Sequence, residues 1–182
     1  MSDRGNEAVR EILRDSFGRV RELVEDVCDG LSHQQATYRP DPDANSVGWL
    51  VWHLTRIQDD HVVAGLVGTE QVWTRSGWYD RLGLPFDEDA HGYGQSSADV
   101  AAVQTDPALL AAYHVDVHAA TLAYVDRLDG DELARVVDTA WDPPVTVSMR
   151  LISVIGDCVQ HLGQAAYVRG LADRAAANRP AG

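Results

Sequence analysis

Four segments of the chain carry apolar residues at the three- and four-residue spacing of an amphipathic helix, with charged residues between them. Each segment is about 20 residues long, and no stretch alternates apolar and polar positions as a half-buried strand does. Helices of this length and spacing pack into a four-helix bundle. The sequence therefore predicts an all-α fold of four helices, over residues 7–29, 45–68, 106–129 and 147–171.

The connections between the predicted helices differ in length. Residues 32–45 read as a loop with two prolines, and residues 131–133 as a short helical turn. The connection between the second and third helices is long, rich in glycine and aromatic residues, and ends in a short helix that starts at Ser96 or Ser97. We expect one domain over residues 1–175, followed by a flexible tail over residues 176–182.

Composition narrows the class of protein. The chain has 182 residues, of which 45% are hydrophobic, and a formal net charge of −13. This charge argues against nucleic acid or an anionic membrane as a partner, since both require clustered lysine and arginine. No apolar run approaches the roughly 18 residues of a membrane span, and the charged N-terminus lacks a signal sequence. Two cysteines do not form a disulfide framework. We expect a cytoplasmic protein.

The fourth predicted helix contains the segment "LISVIGDCVQHLGQAAYVRG", in which polar residues interrupt a core-like pattern. Asp157 and His161 lie four residues apart, so their side chains project from one side of the helix and can bind the same ion. His161 also belongs to an apolar row, whereas Asp157 lies at its edge. Taken alone, a satisfied core histidine and a solvated carboxylate are the commoner explanations of these two residues.

The second predicted helix adds a third candidate ligand. His53 lies in the apolar stretch "SVGWLVWHL", where an imidazole without a partner would be costly. Together with Asp157 and His161 it would give three protein ligands, which leaves a coordination position for water or substrate. Asp60, seven residues further along, could orient an imidazole, or it could belong to a solvated face with His61.

A competing pair lies on the third predicted helix. His114 and His118 in "YHVDVHAAT" have the same i, i+4 spacing and are an alternative metal site. Cys158 is expected to be a small buried residue. The acidic residues around Cys28 should raise the pKa of its thiol and so lower its reactivity. The sequence contains no nucleophile elbow, phosphate-binding loop, dinucleotide-binding motif or CxxC pair.

The stretches "NSVGWLVWHLTRIQDDH" and "GDCVQHLGQAAYVRGL" resemble the DinB-like superfamily of metal-binding four-helix bundles, which includes bacillithiol- and mycothiol-dependent transferases. The resemblance covers about residues 7–171. The family takes one histidine ligand from the second helix and two ligands, one turn apart, from the fourth. His53 and His161 match this pattern. Asp157 stands where the family has histidine, or glutamate in the mycothiol-dependent maleylpyruvate isomerases.

The resemblance implies a divalent ion, commonly zinc or nickel, and often a homodimer. It also implies a function: a low-molecular-weight thiol bound at the metal attacks an electrophile. The isomerases carry an additional C-terminal domain for which this sequence is too short, so isomerisation is not carried over. Two alternatives stay open, a metal- or ligand-binding bundle without turnover, in which His61 or His114 completes the coordination, and a metal-dependent hydrolase.

Further residues are assigned to the surroundings of this site. We expect the electrophile to lie under the aromatic part of the long connection, near Trp73, Trp78 and Tyr79. Arg56, Asp60 and Gln164 are expected to support the ligands or face the substrate. Arg169 is assigned either to the carboxylate of a thiol or to the C-terminal end of a helix.

Overall fold

The computed structural model describes residues 3–178 and is almost entirely helical. Four long elements form the bundle, and the prediction of an all-α fold is confirmed. Shorter helices and one hairpin fill the connections. The helices are α1 (Asp3–Cys28), α2 (His33–Ala36), α3 (Val47–Gln58), a π-helix (Asp59–Val67), α4 (Val72–Arg75), α5 (Trp78–Leu82), α6 (Ser97–Ala102), α7 (Pro107–Val125), α8 (Gly130–Ala134) and α9 (Val147–Ala177); the strands are β1 (Val136–Asp138) and β2 (Val145–Thr146).

Each of the four bundle helices packs against two of the other three. Helix α3 packs against α9 and α7, and α1 packs against the same two helices from the other side. The side chains between them form one continuous core, which includes Phe17, Val20, Leu50, Trp52 and Leu151, none with any exposed surface. The seam between α3 and α9 carries the most extensive packing of any pair of elements, and it holds the candidate metal ligands.

Polar caps begin the helices at the predicted places. The Ser46 hydroxyl accepts a hydrogen bond from the Trp49 amide at the start of α3, and Asp106 precedes Pro107 as the cap of α7. Ser96 caps the short helix α6, as the sequence predicts, and α8 covers the turn expected near residues 131–133. These starts are local signals, which explains why they could be read from the sequence.

Other features differ from the prediction. The second bundle helix changes from α to π geometry after Gln58, the loop predicted over residues 32–45 contains α2, and the connection before α9 forms a two-stranded hairpin. The fourth bundle helix continues to Ala177 rather than ending near Leu171. Residues 176–177 of the expected tail are therefore helical, and residues 179–182 lie outside the described part of the chain.

Helix α7 is long and apolar enough to pass a length-and-composition test for a membrane span. In the structure it is a bundle helix that packs against α1 and α3. A core helix of a globular protein meets the same test, because its residues are buried against other helices rather than lipid.

Candidate metal centre

Three potential ligands converge where α3 and α9 cross. His53 from α3 and Asp157 and His161 from α9 each bring one ligand atom within 4.8 Å of the others. The two imidazole rings are 4.7 Å apart between centroids and inclined by 65°, and the Asp157 Oδ2 atom lies 3.5 Å from His161 Nδ1. Histidine nitrogen and carboxylate oxygen are the donor set that zinc and related divalent ions accept in proteins.

Hydrogen bonds fix the tautomer of both histidines. His53 Nδ1 lies 2.5 Å from the His91 carbonyl oxygen, and His161 Nδ1 lies 2.9 Å from the Asp157 carbonyl oxygen. A carbonyl oxygen only accepts, so each Nδ1 must carry the proton and donate it. The Nε2 lone pair of each ring is therefore free to bind a cation, the arrangement that backbone carbonyls impose on metal-ligating histidines. Burial lowers the pKa of His53, which keeps its ring neutral at pH 7.

An unsatisfied oxygen marks the third ligand. Asp157 Oδ2 is shielded from solvent and has no hydrogen-bond partner among the described residues. A buried carboxylate oxygen without a partner is unfavourable, and a divalent cation would satisfy it. His53, Asp157 and His161 thus fit a divalent cation such as zinc. The Asp157 carboxylate reaches the two imidazoles in spite of its short side chain.

The indole of Trp49 forms one wall of the site. It stacks on His53 with ring centroids 4.7 Å apart and planes 13° from parallel, and its Nε1 donates a 2.7 Å hydrogen bond to Gln95 Oε1. This stacking prevents the imidazole from rotating. The role of Trp49 was not predicted, since its position one turn before His53 is also that of an ordinary core residue.

The long connection returns to the metal centre through its backbone. Residues 86–95, here called the cover loop, lie against α3, and the His91 carbonyl accepts the His53 bond described above. Gly92 has φ +98°, and a Cβ at this position would lie 2.5 Å from His53 Nδ1. Only glycine permits this approach of the backbone to the ligand. Nothing in the local sequence pattern indicates this contact.

Arg56 anchors the cover loop and does not face substrate, which corrects the expectation for this residue. Its fully buried guanidinium donates to the carbonyls of Ala90 and Glu88, at 3.0 and 3.4 Å, and to Gln71 Oε1. Its centre also lies 4.8 Å from the centroid of the Trp73 ring. All of these contacts hold the connection onto α3, so the arginine has a structural role.

Two acidic residues complete this anchor. Asp59, which sequence reasoning missed, accepts hydrogen bonds from the backbone amides of Val72 and Trp73 and from the Tyr113 hydroxyl, at 2.8 to 2.9 Å. Asp60 accepts a 2.8 Å bond from Gln71 Nε2 and lies 3.5 Å from His61 Nδ1. Asp60 therefore does not orient His53, contrary to expectation; the backbone of His91 does.

The two tryptophans of the connection, Trp73 and Trp78, are core residues. Trp73 and Trp78 are almost completely buried, and both contact Tyr113 on α7. Trp78 Nε1 donates to Asp116 Oδ2 at 2.9 Å, and the Arg81 guanidinium stacks on its ring. This position does not support the expected substrate-facing role of Trp78. Gln164, by contrast, is exposed on α9, one turn beyond His161.

The alternative histidines do not assemble a comparable site within residues 3–178. His114 and His118 stack 6.3 Å apart in the core, with no third histidine, cysteine or carboxylate close enough to complete a cluster. His114 Nε2 lies 3.3 Å from Gln58 Oε1, and burial lowers its pKa to about 3. His61 pairs with Asp60 and is outside the cluster.

Neither cysteine has the surroundings of a reactive thiol. Burial raises the pKa of Cys28 to about 12 and raises that of Cys158 further, and the neighbouring Asp157 adds to the shift at Cys158. Both are free and buried. Arg169 donates hydrogen bonds to the carbonyls of Val27 and Asp29, at 3.0 and 2.8 Å, and so satisfies the C-terminal end of α1.

The fold and the cluster place the protein among four-helix bundles that carry a candidate metal site, here two histidines and one aspartate, between facing helices. Residues 12–174 match the family model described as mycothiol-S-transferase. The chain belongs to this family, and the resemblance to the DinB-like superfamily is confirmed.

The solved structures include a similar protein. A crystal structure described as a conserved protein from Enterococcus faecalis is 30% identical in sequence, with a TM-score of 0.84. The match covers 90% of this chain and 96% of that one, so the two proteins share most of the fold. No curated protein matches the sequence.

Proposed function

We propose that the protein is a metal-dependent S-transferase that uses a low-molecular-weight thiol, with His53, Asp157 and His161 as the metal ligands. One observation carries the proposal. The chain belongs to the mycothiol-S-transferase family, and two of its imidazoles each use Nδ1 in a hydrogen bond to a backbone carbonyl, which leaves Nε2 free. Beside them lies Asp157 Oδ2, which has no hydrogen-bond partner among the described residues. As parts of the same proposal, the thiol is mycothiol, which the family description suggests, the metal is zinc or nickel, and the protein is a cytoplasmic homodimer.

When bound, the divalent ion would accept the sulfur of the thiol and favour its thiolate form at neutral pH. Among residues 3–178 the cluster supplies three ligands, which leaves room for an exchangeable group. His53 stays neutral because burial lowers its pKa, so it remains a ligand over the working pH range. Trp49 and the His91 carbonyl hold its ring in place, and the cover loop limits the access of water from that side.

In the transfer, the sulfur forms a bond to an electrophilic carbon of the second substrate. The bond from that carbon to its leaving group breaks, and the leaving group takes the electron pair. The thiol proton is released to solvent, so that no oxidant or reductant is needed. Neither cysteine of the chain takes part, because both thiols are buried and hard to ionise.

Metal content is the first test. Elemental analysis of purified wild-type protein should find about one zinc or nickel per chain, and His53→Ala and His161→Ala should lose most of it. His118→Gln, which removes an imidazole outside the cluster, is the control and should keep its metal. Retention of metal by both alanine variants would place the ion elsewhere and refute the ligand assignment.

Turnover is the second test. The metal-loaded protein is incubated with mycothiol and a halogenated aromatic electrophile, and conjugate and halide are measured together. We expect equal amounts of both, dependent on metal and on thiol. Halide release without thiol would indicate a metal-dependent hydrolase, and bound metal without any reaction would indicate the non-catalytic alternative.

A further inference from the structure

Asp60 and His61 form a second polar pair beside the candidate metal centre. They are neighbours in the π-helix, and Asp60 Oδ2 lies 3.5 Å from His61 Nδ1. The other carboxylate oxygen, Asp60 Oδ1, accepts a 2.8 Å hydrogen bond from Gln71 Nε2. Gln71 in turn accepts a hydrogen bond from Arg56, whose side chain is fully buried. This chain of hydrogen bonds fixes the carboxylate, so Asp60 presents one oriented oxygen to the imidazole.

The carboxylate sets the tautomer of His61. An ionised carboxylate only accepts, so Nδ1 carries the proton and Nε2 keeps its lone pair. No hydrogen bond from residues 3–178 engages Nε2, and 36% of the side chain is exposed, so a small molecule can reach this atom. A carboxylate that orients an imidazole in this way is the arrangement of a general base. The 3.5 Å separation is longer than a hydrogen bond, as catalytic contacts often are before substrate binds.

His61 lies beside the candidate ligands, although it is not one of the three. In an unbroken α-helix it would lie about 80° around the axis from His53. The π geometry, which begins at Asp59, spreads one turn over more residues and so rotates His61 back toward the face of His53. The charges of Asp157 and His91 act on both imidazoles. The pair and the ligand cluster therefore belong to one region of the molecule.

Charged and titratable groups from three elements face His61. Asp60 lies on its own helix, Arg150 and Asp157 lie on α9, and His91 lies on the cover loop. Burial is the main influence and lowers the pKa of His61; Arg150 and His91 lower it further, whereas the two carboxylates raise it. The net effect is a ring that is neutral at pH 7 and has a lone pair with which to accept a proton.

We propose that His61 is the general base of the transfer, taking the proton of the thiol at Nε2, and that Asp60 is the residue that positions its ring. The inference rests on the proposed function, since the thiol is the one held at the candidate metal centre. The S–H bond breaks, its electron pair stays on sulfur, and an N–H bond forms at Nε2. His61 then gives this proton to solvent and returns to its neutral form, so no oxidant or reductant is required.

The rate of transfer as a function of pH tests the role of His61. Metal-loaded wild type and His61→Gln are assayed with mycothiol and a halogenated aromatic electrophile between about pH 6 and 9. In His61→Gln, kcat should fall about 100-fold at the acidic end, the lower end of what a positioned base contributes. The loss should shrink at the alkaline end, where more of the thiol ionises without help. His33→Gln, which removes an exposed imidazole on α2, is the control and should match wild type throughout.

The tautomer of His61 is a readout that does not depend on turnover. Nitrogen-15 NMR of the zinc-loaded protein distinguishes a ring protonated at Nδ1 from one protonated at Nε2, and wild type should show the Nδ1 form. In Asp60→Asn the side-chain oxygen can still accept from Gln71, which places the amide NH₂ toward His61. The Nδ1 atom must then accept, so the tautomer should reverse. The transfer rate of this variant should fall to that of His61→Gln.

The outcomes separate this inference from the proposed function. Equal transfer by wild type and His61→Gln at every pH would overturn the general base and leave the transferase standing. Loss of metal from His61→Gln would show that His61 is a ligand, and would also overturn it. A wild type that binds metal but transfers nothing would refute the transferase. The orientation of His61 by Asp60 would then stand if Asp60→Asn reverses the tautomer, and fall if it does not.

Discussion

At the scale of residues, the orientation of the candidate ligand side chains depends on neighbouring residues as well as on the helices that carry them. Asp157 and His161 share one face of α9 because of their spacing, and this could be predicted from the sequence. His53 is different, since its ring is held by a tryptophan and by a carbonyl 38 residues further along the chain. Contacts of that kind leave no local pattern, so the sequence could not show that the His91 carbonyl, and not Asp60, holds His53; of the two alternatives for Asp60, the structure has the one that groups it with His61.

Gly92→Ala tests how strictly the cover loop controls His53. The new Cβ would lie 2.5 Å from His53 Nδ1 and 3.1 Å from Trp49 Cζ2, so the ring or the loop must move. We expect metal affinity to fall about 10- to 100-fold, the usual effect of losing a group that orients a ligand. Isothermal titration with zinc would measure it.

Gly94→Ala is the matched control for this change. Gly94 also has a positive φ, +73°, but a Cβ there meets nothing within 4 Å. Both variants should lose about 1–2 kcal/mol of stability to backbone strain. Only Gly92→Ala should lose metal affinity, and an equal loss in Gly94→Ala would show that the cause is loop strain and not the contact with His53.

The buried His114 predicts a pH dependence of stability. Burial lowers its folded pKa to about 3, below the ordinary value of 6.5, so the unfolded chain binds a proton that the folded protein excludes. The free energy of unfolding is therefore unaffected by His114 above pH 6.5. It decreases as the pH falls from 6.5 toward 3, by about 1.4 kcal/mol per pH unit. Urea unfolding from pH 7.5 to 4.5 should show a shallower decline for His114→Gln than for wild type. Parallel curves would contradict the prediction.

At the scale of elements, the four long helices were predictable and the connections were not. Apolar spacing and caps such as Ser46 and Asp106 are local, and they define the bundle. The π-helix begins at the polar stretch of Gln58, Asp59 and Asp60, and it depends on the tertiary hydrogen bonds that Gln58 and Asp59 make. The hairpin has only three and two residues in its strands, too few for an alternating pattern to appear.

Arg56→Met tests whether one side chain holds the cover loop on α3. The change removes every donor of the guanidinium and leaves the buried Asp59 without its nearby cation, so we expect a loss of about 3 kcal/mol. Hydrogen exchange of residues 86–95 should rise. Arg75→Met, exposed on α4 in the same connection, should alter neither stability nor exchange. Unchanged exchange in Arg56→Met would mean that other contacts suffice.

At the scale of the whole molecule, a bound ion would join two helices that are distant in sequence. His53 lies on α3 and the other two ligands on α9, so binding adds to the stability of the fold and not only to the site. The mostly acidic surface, with a net charge of −13, also favours cations in general. The convergence of the three candidate ligands could thus be predicted from the sequence, whereas the wall of tryptophan and backbone beside them could not.

Thermal unfolding measures this link. Free zinc at 100 times its dissociation constant should add about 2.7 kcal/mol, which for a chain of this size raises the Tm by roughly 5–10 °C over chelator-treated protein. Asp157→Asn keeps the shape of the side chain but removes its charge, and its Tm should respond much less to zinc. An equal response in this variant would show that zinc acts at another site.

The contact between His53 and the His91 carbonyl has a consequence for variation among proteins of this design. The cover loop acts on the ligand through its main chain, and its side chains at Glu88, Asp89 and His91 are not what hold the imidazole. Side chains on the outer surface of the loop can therefore be substituted during evolution, and this would change which molecules reach the candidate site, as long as a glycine follows the residue whose carbonyl binds His53. Substitutions on the loop surface can thus change which reactant binds without changing the orientation of the His53 ring.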